Sequence, residues 1–236
     1  TMKLKKIASL MLAGVMAVSM LAGCSGKTET KPEGEGNGEG TTASGYSAKL
    51  ESYLSDEVKD MENVTFQDNA ANATALESAV KNISANGVVN TAKDHAVPAS
   101  ISGWNKNGYE AMIAELKKAY DIQDDDLDQD DMDLLWAVNS QYMANRSLND
   151  AVVYAVTGSV DLEKSLKDIA DRLNSYFEAL PAQGKVDNGV TAGNPALVYD
   201  YDYTISVSVV NKPVTVFTEY DGSVNYIAVT VSRTIA

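Results

Sequence analysis

A chain of 236 residues with 33 acidic and 19 basic side chains carries a formal charge of −14, which argues against nucleic acid as a partner. A polyanion would need a local basic patch, and no run of Lys and Arg supplies one. Its single cysteine and single histidine, Cys24 and His95, exclude an intramolecular disulfide, a cysteine-built zinc site and a multi-histidine metal site.

In chain order, Met2 fits a natural start, with Thr1 outside it. Lys3, Lys5 and Lys6 precede the apolar run from Ile7 to Leu21, and small residues before a cysteine close it, the layout of a secretory signal. The run is shorter than the roughly 20 residues a membrane-spanning helix needs. Gly14 and the polar stretch beyond Cys24 also favour cleavage over a membrane span. Leu21-Ala22-Gly23-Cys24 has the form of a lipobox, and residues 2–24 resemble the signal peptides of bacterial lipoproteins. That resemblance implies removal of residues 1–23 and a lipid on the Cys24 sulfur. It also implies residence on the outer face of the cytoplasmic membrane, the bilayer being a partner through that lipid. The leader takes three lysines and no acid with it, leaving 16 basic against 33 acidic residues, a net of −17. Such a charge serves solubility outside the cell. Acylation also leaves no thiol for nucleophilic chemistry.

Residues 24–45 are Gly, Glu, Thr and Ser with almost nothing apolar, so they predict a flexible linker behind the lipidated Cys24. Residues 46–236 are expected to form a single domain. Tyr46, Leu50, Tyr53, Leu54 and Met61 predict a helix over 47–61, and Val64 and Phe66 a short strand or loop. Thr74 and Glu77 read as a capping box opening a helix that ends at Asn86-Gly87. Residues 88–91 allow a short strand. A third helix over 108–120 has Tyr109, Met112, Ile113, Leu116 and Tyr120 as its core stripe. A fourth over 131–146 has Met132, Leu135, Trp136 and Met143. Ser147 and Asp150 look like a cap, so AVVYAVTG before and at Gly158 is taken as a short helix despite its β-rich composition. Leu162, Leu166, Ile169, Leu173, Phe177 and Leu180 give the clearest helix, 160–180, stopped by Pro181.

After a loop over 181–196 the period changes to two. Leu197, Tyr199, Tyr201, Tyr203, Ile205, Val207 and Val209 face one way, and Asp200, Asp202, Thr204, Ser206 and Ser208 the other, so the strand has one buried and one wet face. Asn211-Lys212-Pro213 predicts a turn, and Asp221-Gly222 a hairpin between two further strands. The expected fold is therefore α+β: a mainly helical N-terminal part of about six helices packed on a C-terminal three-stranded antiparallel meander.

Three groups of residues are candidates for chemistry. Between Asp121 and Asp133 stand eight aspartates, and Asp124, Asp126, Asp128 and Asp131 are the candidate ligands for calcium, which takes six to eight oxygens. The run is distantly similar to the calcium loops of dockerins and EF hands. It lacks the glycine at the sixth position, and the twelfth residue from Asp124 is Leu135. The simpler reading is that Asp128 or Asp130 caps a helix whose first turn holds Asp131 and Asp133. Trp104, Asn105, Asn107 and Tyr109 combine flat aromatic faces with amides, which suits a glycan or a peptide, although Trp104 folded back as a staple would serve packing alone. His95 beside Asp94 invites a general-base role, but neighbours in a loop usually point apart. Asn139 on an apolar helix face reads as a buried amide.

These features point to a non-enzymatic binding or interaction module at the cell envelope, with no cofactor unless calcium binds. A carboxylate-dependent hydrolase of cell-wall or dietary glycans and a calcium-stabilised structural or adhesion protein are the alternatives.

Overall fold

The computed structural model describes residues 45–83, 93–99, 106–122, 135, 138–139, 143–186, 196–217 and 220–236. Five helices and six strands lie among them: α1 Tyr46–Tyr53, α2 Asp56–Lys59, β1 Val64–Phe66, α3 Ala70–Val80, β2 Val97–Pro98, α4 Lys106–Ala119, β3 Leu148–Thr157, α5 Leu162–Glu178, β4 Gln183–Val186, β5 Leu197–Phe217 and β6 Tyr220–Ile235. The strands form one mixed sheet in the order β1-β5-β6-β3-β2, with β4 also on β5. β1 runs parallel to β5, Val64 opposite Tyr203, and the other strand pairs are antiparallel. This corrects the expected helical part with a three-stranded meander.

The largest correction is β3. Asp150 does not open a helix; it sits inside a strand paired with β6 from Leu148↔Arg233 to Thr157↔Val224. The strand is buried on both faces, which explains why AVVYAV lacks the alternation of a half-wet strand. Val152, Tyr154 and Val156 join one core with Ile205, Val207, Ile227, Val229 and Val231. Leu50, Leu54 and Val58 of the α1–α2 region and Leu166, Ile169, Leu173 and Phe177 of α5 cover that face. Ala151, Val153 and Ala155 join a second core with Tyr226 and Ala228, covered by Leu76, Ala79 and Val80 of α3 and Met112, Ile113 and Leu116 of α4. Helices on both faces of a sheet make three layers.

The second correction concerns Pro213. β5 runs straight through it, with Pro213 opposite Ser223, instead of turning at Asn211-Lys212. The amide of Tyr201 donates to Ala182 O, that of Tyr203 to Asn63 O and that of Val207 to the Ser47 hydroxyl, so odd-numbered amides point away from β6. The N–H that Pro213 lacks belongs to this outer edge, and its loss leaves the β6 pairing intact. Asp221 and Gly222 are likewise inside β6, opposite Thr215 and Val214, and the β5–β6 pairing extends to Phe217 opposite Tyr220.

Smaller differences follow from caps and turns. The expected helix over 47–61 divides at Leu54, and Ser55 starts α2 by accepting from the Val58 amide. α1 begins at Gly45, whose φ of 73° is left-handed, and is capped from a distance: the Asp68 carboxylate accepts from the Gly45 and Ser47 amides at 2.6 and 3.0 Å. Asn69, not Thr74, caps α3, while Lys212 Nζ donates to the carbonyls of Val80 and Ile83 at its far end. α5 matches the 160–180 expectation, with Asp161 as its cap. In the stretch expected as a helix over 131–146, Val138–Asn139 and Met143–Asn145 are turns, and the rest apart from Leu135 and Arg146 lies outside the described residues. So does the strand expected at 88–91. Residues 183–186 of the expected loop form β4.

Candidate functional site

Two polar regions on the sheet stand out, one buried and one open. The buried one centres on Arg233. By alternation Arg233 shares the face of Ile227, Val229 and Val231, and it is fully buried. Its guanidinium donates to the carbonyls of Val138 at 3.2 Å, Met143 at 2.7 Å and Arg146 at 3.2 Å, and lies 4.4 Å over the Tyr201 ring. The Tyr201 hydroxyl donates to Ala144 O at 2.6 Å. On the neighbouring strand, Asp150 accepts from the Val138 and Ala151 amides. Burial pushes the Tyr201 and Tyr203 hydroxyls up from their ordinary value, and the Arg233 charge partly opposes this. A planar cation with several donors suits a set of backbone carbonyls. This centre fastens the Met143–Arg146 turn to the sheet, a structural task.

The open region lies on the opposite face, beyond the N-terminus of α3. Asn72 of α3 bonds the hydroxyls of Ser206 and Thr230, which bond each other at 2.6 Å, and these two are buried. One residue pair further along, cover ends. Thr65, Thr204, Ser232 and Asn149 stand opposite one another on β1, β5, β6 and β3. Thr65 and Thr204 are exposed, Ser232 and Asn149 half-buried. Adjacent strands are about 4.8 Å apart, so the row spans about 14 Å. Their side chains hydrogen-bond to no other described residue. The next positions are Asp202 opposite Thr234, then Asp200, whose carboxylate accepts from Gln183 Nε2 at 2.5 Å, all exposed. The result is a flat face of hydroxyls, amides and two carboxylates, groups that both donate and accept hydrogen bonds.

Asp94 and His95 form a third arrangement. Asp94 Oδ1 lies 2.9 Å from His95 Nδ1, and the side chains are 91 % and 52 % exposed. The imidazole hydrogen bond, its own backbone amide and the nearby charge hold the Asp94 carboxyl below its ordinary value of 3.8. A depressed carboxylate stabilises the fold above its unfolded pKa and loses that contribution as pH falls through the folded one. A carbon-detected NMR titration should therefore place Asp94 below 3.8, and His95→Ala should return it toward that value. An unperturbed Asp94 in the native chain would show that the pair does not persist in solution.

Of the residues singled out from sequence, Cys24, Trp104, Asn105, Asp124, Asp126, Asp128 and Asp131 lie outside the described residues. Asn107 belongs to the first turn of α4. Tyr109 is fully buried, its ring edge-on to Tyr226 with centroids 6.3 Å apart, as part of the core stripe. Asn139 Nδ2 donates to Leu135 O at 3.0 Å. Among the described residues no group of three or more His, Cys, Asp or Glu could hold a metal, and no helix is long and apolar enough to cross a membrane. Arg233 and the Thr65–Thr204–Ser232–Asn149 row are not among the residues singled out from sequence. A signal existed for Arg233, which continues the apolar two-residue period of Ile227, Val229 and Val231. None existed for the row, because it depends on strand pairing and on where α3 stops. Comparison with protein-family models, with curated proteins and with solved structures finds no match for the chain.

Proposed function

We propose that the chain is a lipid-anchored extracytoplasmic binding module, without catalytic chemistry of its own, that holds a hydroxyl-rich glycan on the open end of its sheet. The anchor rests on the lipobox and the linker behind it. The binding role rests on one observation: polar side chains from four adjacent strands stand in a row without a hydrogen-bond partner among the described residues. Hydroxyls and amides can exchange hydrogen bonds with a polyhydroxylated chain, and two carboxylates can accept from vicinal hydroxyls. The net negative charge disfavours an anionic glycan.

Asp200 and Asp202 also bear on the hydrolase alternative, since they stand on one face two residues apart. Glycoside hydrolysis needs one of its two carboxyls kept protonated by its surroundings. Both are exposed to water, and Asp200 accepts a hydrogen bond from Gln183 Nε2, so neither carboxyl sits in the enclosed apolar pocket such an acid requires. The pair therefore suits binding better than acid catalysis.

The test is an amide-shift titration of the unlipidated mature chain (Cys24→Ser) with a soluble hexamer of β-1,4-linked N-acetylglucosamine, a neutral glycan probe. Shifts should cluster at Thr65, Asn149, Asp202, Thr204 and Ser232. Thr204→Arg, which fills the exposed face without touching either core, should abolish them and leave the melting temperature within a few degrees. Shifts confined to another surface, or none at millimolar probe, would overturn the glycan assignment. An oligolysine peptide that binds where the hexamer does not would turn the face over to cationic peptides.

A further inference from the structure

No further inference is drawn: the strongest remaining candidate, the exposed apolar side chains of Leu197 and Val198 where β5 meets β4, stands on consecutive strand positions and so on opposite faces, and nothing in the structure shows what covers either.

Discussion

Arg233→Met is expected to lower the stability of the domain by about 3 kcal/mol, read as a reduced urea midpoint at unchanged slope. The guanidinium supplies three charge-assisted hydrogen bonds to the carbonyls of Val138, Met143 and Arg146. Each such bond contributes about 1.5–3 kcal/mol, and the carbonyls would be left buried without that donor. Removing the arginine also removes the several kcal/mol of desolvation that it costs, which offsets roughly half of the loss. Arg233→Lys keeps the charge but not the planar fork, so it should recover only part of the midpoint. The same urea series reads both variants. A methionine variant as stable as the native chain would mean that the Met143–Arg146 turn is seated by apolar packing alone.

Gly184→Ala is the second large effect, expected to cost about 1–3 kcal/mol or more. A Cβ at Gly184 would lie 1.7 Å from the Tyr201 hydroxyl oxygen, 2.4 Å from its ring carbon and 2.8 Å from Ala144 Cβ. The ring has nowhere to retreat: its hydroxyl is bonded to Ala144 O and the Arg233 guanidinium lies over its face. Tyr201→Phe removes the nearest atom but leaves the ring carbon in conflict. Thermal melts should therefore show the double variant Gly184→Ala/Tyr201→Phe only partly rescued. Full tolerance of alanine at 184 would contradict the close approach of β4 to the Tyr201 ring.

Local periodicity carried the sequence reading where one face decides the pattern. Leu166, Ile169, Leu173 and Phe177 recur by threes and fours because α5 has one buried face, and Tyr201, Tyr203, Ile205 and Val207 alternate for the same reason in β5. β3 escaped it because both of its faces are covered, so its apolar run had no period to distinguish strand from helix. The usual local preferences of Pro213 and Asp221-Gly222 point to turns. In this fold Pro213 meets an outer edge, and the β5–β6 ladder continues past both positions. The caps show the same limit. Asp68 serves α1 from 21 and 23 residues away, a relation invisible until β1 is placed. The open polar row likewise exists only after β1, β5, β6 and β3 are laid side by side.

The anchored location is tested most directly by intact-protein mass spectrometry of the native chain recovered from membranes, paired with fractionation of Cys24→Ala. A chain that begins at Cys24 with the mass of an acylated cysteine, and an alanine variant that does not mature into the lipid-bearing form, are the predicted results. An unmodified Cys24 thiol, a retained leader, or native protein free in the cytosol would contradict the lipid anchor and the placement of this domain outside the membrane.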